Sequence, residues 1–449
     1  MDVLVVGLGV TGDALVRHAA RQGWTVTVVE DAPAAPGYQD RRRAAEALGA
    51  TVVEAPGTDA WPGLVAAARL VVPSPGVPAA HPVYAAAVDA GVDVVSEIEL
   101  ASEAATVPIV AVTGTNGKTT VTTLVAAMLD ASGLHAVAAG NIGRPLIEAV
   151  LEPADVVVAE VSSFQLEYTR RFHPRVAVVT NVADDHLDWH PTFEHYRAAK
   201  ARIFANQVGD DVLVVDADDE AAAGLGHEAP ARVLRCSASG RPGADARVAN
   251  GNLMAPRGTV LLSVEELARR HRHDVSNALV ASTAALEVGA TVEGVTSTLR
   301  SFTGLRHRVE LVGDADGVRF YDDSKATNPH AALSAISGFD SVVLLAGGRN
   351  KGLDLGVLAS AAPRLRAVVA FGEAGREVEA VFDGVVPVRR VATVAEAAAA
   401  GADLAEPGDA VLLSPGCASF DAYPGYAARG DDFAAAVRRL LDAREASTS

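Results

Sequence analysis

Short, unbroken apolar runs recur along the chain, each stopped by glycine, proline or an acid. Longer stretches with apolar residues three or four positions apart lie between them. The first run, 3–6, meets Gly7, Gly9 and Gly12, a helix follows to about Gln22, and TVTVVE ends at Glu30. The segment 69–78 reads as a strand stopped by Pro and Gly, and 92–100 completes a first α/β unit. A second unit starts near Val107 with strand 109–114 and a helix from about Thr119 to Ala131. Further strands are expected at 155–161, 176–182 and 211–218, and short antiparallel strands in the polar, Gly-rich stretch 237–263. A third unit follows 301–308, with strands VRFYDDS, SVVLLAGG, AVVAFG and DAVLLSPG. Its last helix places Phe433, Val437, Leu440 and Leu441 on one face. Continuous Val-rich runs, rather than strict alternation, mark strands buried on both faces. Runs separated by helices imply parallel pairing and crossover helices. The fold class expected is α/β, in two or three domains for 449 residues.

Composition narrows the function classes. Apolar residues make up 49% of the chain and aromatics only 5%, so Ala-rich helices on Val-rich strands fill the cores. The formal charge of -18 argues against duplex nucleic acid and against an anionic membrane surface as partners. Cys236 and Cys417 are far apart and show no CxxC spacing, which fits a reducing compartment. The start, MDVLVVGLGVTG, lacks the basic segment of a signal peptide, and no apolar run is long enough to span a bilayer unbroken. A cytoplasmic enzyme is the expectation. If so acidic a protein handles anions, it must gather its cations beside glycines.

TGTNGKTT, 113–120, does this. A strand delivers Gly114 and Gly117 to the start of a helix, where free N–H groups and the helix dipole favour phosphate. Lys118 can reach the β and γ phosphates of a nucleotide, and the Thr119 hydroxyl can ligate Mg²⁺. The loop departs from the usual Walker spacing, with Val112 in place of a glycine and only two residues between Gly114 and Gly117.

Acids follow the next strands. Glu160 ends one, at the carboxyl edge where open α/β sheets bind ligands. Asp184, Asp185, His186 and Asp188 follow another, a set of oxygen and imidazole donors suited to a second divalent ion. Lys200, on a helix after that loop, is electrostatically odd beside metals unless its charge is altered. Gly7, Gly9 and Gly12, with Glu30 about twenty residues on, match GxGxxG. That motif reports a pyrophosphate at a helix N-terminus and does not distinguish NAD from another nucleotide diphosphate. A dehydrogenase reading of it leaves TGTNGKTT unexplained.

Together these motifs resemble the Mur ligases over nearly the whole chain and in order. The resemblance rests on GLGVTG, SPG (74–76), TGTNGKTTVTTLV, GNIGRPL (140–146), EVSSFQLE (160–167), TNVADDHLDWH and YRAAKARIF. It continues through HDVSNALVA (273–281), FTGLRHR, DDSKATNP (322–329), LLAGGRNKG and LLSPGCASFD. It implies a Rossmann-like UDP-sugar domain at 1–97, a central P-loop-type ATPase at 98–304 and a Rossmann-like amino-acid domain at 305–449. The implied activity is ATP-dependent ligation of D-glutamate to UDP-N-acetylmuramoyl-L-alanine through an acyl phosphate, in peptidoglycan precursor synthesis.

The same resemblance implies a monomer using ATP and two Mg²⁺ ions, with no nucleic-acid or membrane partner. Gly114, Thr115, Asn116, Gly117, Lys118, Thr119, Thr120, Asn277, Arg308 and Asp323 would hold ATP. Thr119, Glu160, His186 and a carbamylated Lys200 would hold the metals, and Lys118, Glu160, His186 and Lys200 would form the catalytic set. Val10, Thr11, Glu30, Asp31, Ser74 and Asn141 would contact the UDP-sugar. Lys325, Thr327, Lys351, Ser419, Phe420 and Tyr426 would surround D-glutamate. At the uracil-side corner relatives often carry Asp, Thr and Arg, where this chain has Glu30, Asp31 and Ala32.

Overall fold

The computed structural model describes residues 1–35, 37–187 and 189–448. Asp188, one of the acids grouped above, lies outside the described residues. The chain forms two compact units. The first holds 1–182, 189–270 and 274–302, and the second holds 183–187, 271–273 and 303–448 of the described residues.

In the first unit, β1 (Asp2–Val6), β2 (Thr25–Glu30), β3 (Thr51–Glu54), β4 (Leu70–Pro73) and β5 (Asp93–Val94) form a parallel sheet ordered β3-β2-β1-β4-β5. A second sheet contains β6 (Ile109–Thr113), β7 (Ala136–Gly140), β8 (Val156–Glu160), β9 (Val176–Val179), β10 (Val212–Asp216), β11 (Arg232–Ser237), β12 (Ala246–Ala249), β13 (Asn252–Met254) and β14 (Val260–Ser263). Its order is β14-β13-β12-β11-β10-β9-β6-β8-β7. Pairing is parallel from β7 to β12 and antiparallel through β13 and β14, where the sequence pattern predicts short antiparallel strands.

Strand order reverses direction at β1 in one sheet and at β6 in the other. Such reversals open a crevice at the carboxyl ends of the strands. Both glycine-rich turns of the sequence fall at these two points. The cores explain the runs. Val110, Val112, Val158 and Val178 face one helical layer, and Ala111, Val157, Ala159, Val161 and Val179 face the other, all completely buried.

In the second unit, β15 (Glu310–Ala315) pairs antiparallel with β16 (Val318–Asp322). Parallel strands β17 (Val342–Gly347), β18 (Leu365–Phe371), β19 (Val388–Arg390) and β20 (Ala410–Gly416) complete the order β15-β16-β20-β17-β18-β19. Phe433 and Val437 of the last helix are buried, and Leu440 and Leu441 pack against the same cluster.

The segment 92–100, which closes the first α/β unit, is mostly helix. Of 92–100, only Asp93–Val94 is strand, and Glu97–Ala104 is helical. The cause lies in two acids on that helix. Glu97 Oε1 accepts the Ile147 N–H at 2.5 Å. Glu99 accepts the N–H groups of Arg170, Arg171 and Phe172 at 2.8–3.1 Å. Both carboxylates are buried and serve as anchors to backbone far away in sequence, a job for which a β-strand register is not needed. Strands β3, β7, β15 and β19 are short or half-exposed, and their apolar runs are too brief to stand out.

Candidate functional site

The phosphate-type loop leaves β6 at Thr113 and enters the helix Lys118–Ala131 through Gly117, whose φ is +84°. A Cβ at Gly117 would lie 2.5 Å from Asn277 Oδ1, so glycine is required both for the conformation and for the close approach of Asn277. Asn277 lies on the helix Arg272–Glu287. The loop is clamped from the neighbouring strand end. Asn181 Oδ1 accepts the Asn116 N–H at 2.8 Å, Asn181 Nδ2 donates to Asn116 O at 3.0 Å, and Thr180 Oγ1 donates to the same oxygen at 2.6 Å. Thr115 Oγ1 lies 3.1 Å from the Tyr196 hydroxyl. Thr119 and the buried Thr120 sit in the first turn of the helix.

Two cations converge on this loop. Lys118 Nζ donates to Gly114 O and Thr115 O, both at 2.9 Å. Lys200 Nζ donates to the same Gly114 oxygen at 2.8 Å and lies 4.3 Å from the centre of the Tyr196 ring. Lys200 is only 1% exposed, so it is no surface lysine of a solvated helix face. Glu160, at the end of β8, is buried. Its Oε1 accepts Asn141 Nδ2 at 3.0 Å, and its Oε2 has no hydrogen-bond partner among the described residues. A buried carboxylate oxygen left bare costs roughly 1–3 kcal/mol, and a hard dication would satisfy it. The donor set thus fits Mg²⁺.

At the other switch point, Gly7 follows β1. A Cβ on Gly12 would lie 2.0 Å from Gly7 O, so the turn and the helix Val10–Arg21 pack without room for a side chain. Val10, at the helix start, is 64% exposed, and Thr11 is next to it. Ser74, after β4, donates its hydroxyl to Gly7 O at 3.1 Å. Glu30 accepts the N–H of Leu8 at 2.7 Å and of Ala32 at 2.9 Å. Asp31 Oδ2 lies 2.9 Å from His81 Nε2, whose Nδ1 accepts the Val83 N–H. Arg41 Nε donates to Leu8 O at 2.6 Å, which places a cation beside the glycine turn that no motif indicated. Glu30 and Ser74 therefore both bond to the glycine turn, Val10 follows it directly, and Asp31 holds His81.

In the second unit, Asp185 is buried and accepts Lys351 Nζ at 2.9 Å and Asn328 Nδ2 at 3.0 Å. His186 takes a φ of +55°, and its Nε2 stands 3.7 Å from Asp185 Oδ2. Lys118, Glu160 and Lys200 belong to the first unit, and His186 to the second. Asp323, just beyond β16, accepts the Ser414 hydroxyl at 2.8 Å, while its buried Oδ1 has no hydrogen-bond partner among the described residues. Burial pushes its pKa up to about 7 against the opposing charge of Arg308.

Lys325 Nζ lies 5.4 Å from the Tyr426 ring centre, and Thr327 N–H donates to Lys325 O. Ser419 is buried and Phe420 is 62% exposed. Nothing in the motifs singles out Arg429, which is fully buried. Its guanidinium donates to Ser324 Oγ and O at 2.9 Å and to Cys417 O and Ala418 O at 3.1–3.2 Å. It therefore ties the loop bearing Lys325 and Thr327 to the loop bearing Ser419.

Comparison with known proteins matches the order of these parts. Residues 1–96 match the Mur ligase MurD-like N-terminal domain, 112–285 the Mur ligase middle domain and 307–417 the Mur ligase glutamate ligase domain. A UDP-N-acetylmuramoylalanine–D-glutamate ligase of Desulfosudis oleivorans is 44% identical, covering 98% of this chain and 96% of its own. The protein of the same name from Frankia casuarinae is 43% identical over 98% and 94%. Among solved structures, UDP-N-acetylmuramate-alanine ligase MurC from Thermotoga maritima superimposes with a TM-score of 0.60 at 19% identity, covering 99% of this chain and 100% of that one. MurF from Acinetobacter baumannii gives 0.61 at 18% identity, covering 96% and 90%. The structures share the fold, and the full-length sequence identity goes further: the chain belongs to the Mur ligase family, among its MurD-like members.

Proposed function

We propose that the chain joins the amine of D-glutamate to the alanyl carboxylate of UDP-N-acetylmuramoyl-L-alanine, with cleavage of ATP to ADP and phosphate. The observation that carries this reading is the convergence of Lys118 and Lys200 on Gly114 O beside a buried carboxylate, Glu160, with one bare oxygen. A dehydrogenase has no use for that arrangement, whereas phosphoryl transfer needs cations where the γ-phosphoryl moves.

A carboxylate is a poor electrophile. In this reading its oxygen attacks the γ-phosphorus and ADP leaves, so that oxygen becomes the bridge of an acyl phosphate. The neutral amine of D-glutamate then adds to the carbonyl carbon. Phosphate departs with the bridging oxygen, and the amide nitrogen loses a proton. Lys118 follows the charge on the transferring group, and the loop N–H groups fix the triphosphate. Two Mg²⁺ ions, held by Thr119, Glu160, His186 and Lys200 as its carbamate, would offset triphosphate charge. Carbamylation takes the Lys200 ammonium to its neutral amine with loss of one proton, and the amine then adds CO₂ with loss of a second. It replaces one of two ammonium groups crowding Gly114 O with an anionic metal ligand.

Residues 1–97 are assigned to the UDP-sugar through Val10, Thr11, Glu30, Asp31, Ser74 and, from the next segment, Asn141. Residues 98–304 are assigned to ATP through the loop and Asn277. Residues 305–449 are assigned to the amino acid through Lys325, Thr327, Lys351, Ser419, Phe420 and Tyr426, with Arg308 and Asp323 on ATP. The enzyme acts as a cytoplasmic monomer on small molecules, in the synthesis of the wall precursor on which cell shape and division depend. Among the described residues no helix is long and apolar enough to cross a membrane. Phosphate release across a panel of amino acids, with mass detection of the product, tests the reading. D-glutamate alone should support turnover at low concentration; a clear preference for L-alanine or a diamino acid would overturn it.

A further inference from the structure

A group of donors outside the site just described has no part in the ligation. His190 follows the acidic loop and is completely buried, and His195 lies on the helix Phe193–Ala201 with its side chain 43% exposed. Their Nδ1 atoms face one another at 3.1 Å. Glu167, at the end of the helix Ser163–Glu167, places Oε1 3.6 Å from His195 Nε2. One ligand atom from each of Glu167, His190 and His195 lies within 4.8 Å of the other two. All three residues belong to the first unit.

We propose that Glu167, His190 and His195 bind a transition-metal dication of borderline softness, such as zinc, cobalt or nickel, at a site separate from that of magnesium. Two imidazole nitrogens bound tetrahedrally at about 2.0–2.1 Å from an ion stand roughly 3.3 Å apart, close to the separation seen here. The far side of His190 is already arranged for this. Its Nε2 lies 2.9 Å from Ser163 Oγ, so an Nε2–H donated to that hydroxyl leaves the Nδ1 lone pair facing His195. Without an ion, a single proton bridges the two Nδ1 atoms. Binding moves that proton to His195 Nε2, so both imidazoles are neutral as they ligate. Two neutral imidazoles and one carboxylate favour zinc, cobalt or nickel over magnesium, which prefers an all-oxygen shell. Water completes the fourth position, reached from the exposed side of His195. The ion would fasten the helix after Glu160 to the helix that carries Lys200.

Cobalt(II) titrated into the full-length, chelator-treated protein in excess Mg²⁺ tests the proposal. The expected result is one equivalent bound with the intense visible absorption of a tetrahedral site. H195A and E167Q should lose that band and bind zinc at least about tenfold more weakly, while melting like the parent in chelator. E160Q should keep the band. If H195A melts low, E167Q alone gives the reading. Absence of the band in the parent chain, or its survival in E167Q, overturns the proposal. Loss in E160Q overturns it too, because the ion would then sit at the magnesium site. None of these outcomes depends on whether the ligase reading holds.

Discussion

At the scale of single residues, the two lysines at Gly114 separate two kinds of chemistry. Lys118 is expected to act as a cation on phosphate, so Lys118→Ala should lower kcat by about 10² or more with an unchanged melting profile. Near-normal turnover would remove it from the mechanism. Lys200 is expected to act as a carboxylate, so activity lost in Lys200→Ala should return with millimolar short-chain carboxylic acids and not with amines; amine rescue would identify an ordinary ammonium. Lys118 is legible in the sequence because glycine, lysine and threonine crowd one turn between a strand and a helix. The Asn181 and Thr180 clamp and the buried Tyr196 beside Lys200 are not, because each reaches the loop from more than sixty positions away. Arg41 escapes notice for a similar reason. It lies in a run of three arginines on a polar helix, and only the folded chain brings its Nε to Leu8 O.

At the scale of elements, the helix Glu97–Ala104 and the last helix each set a buried ionisable group against distant backbone. Burial pushes Glu97 from 4.5 up to about 7, opposed by N–H groups of Ile147 and Leu146. Between those values the folded chain holds more protons than the unfolded chain. The contribution of Glu97 is therefore most favourable below about pH 4.5 and is lost as pH rises through 7. Glu97→Gln carries no such loss and should melt progressively higher than the parent from pH 5 to pH 8, by up to roughly 3 kcal/mol. A difference that stays flat with pH would refute the assignment.

Arg429 belongs to the last helix but serves two loops. Burial lowers its pKa to about 10, and its donors satisfy three carbonyl oxygens and one hydroxyl. Arg429→Lys offers a point charge in place of a planar fork. It should lower the melting temperature and raise KM for D-glutamate several-fold more than KM for ATP. Equal changes in both would make it a purely structural residue. Long Val-rich strands were readable as elements because burial on both faces leaves unbroken runs. The segment 92–100 was not, because its acids look like surface residues until their backbone partners are known.

At the scale of the whole molecule, three segments whose motifs each read as a nucleotide-type or α/β unit occur in the order that full-length relatives share. The -18 charge leaves local cations to do the work of anion binding, and Lys118, Arg41 and Arg308 lie beside the turns and strand ends concerned. The central claim is that a carboxylate oxygen is phosphorylated before the amide forms. UDP-N-acetylmuramoyl-L-alanine labelled with ¹⁸O in both carboxylate positions, incubated with ATP, Mg²⁺ and D-glutamate, tests it most directly through the mass of the released phosphate. The account predicts one ¹⁸O atom in each phosphate and one retained in the amide product. Phosphate free of label, formed in step with product, would contradict it.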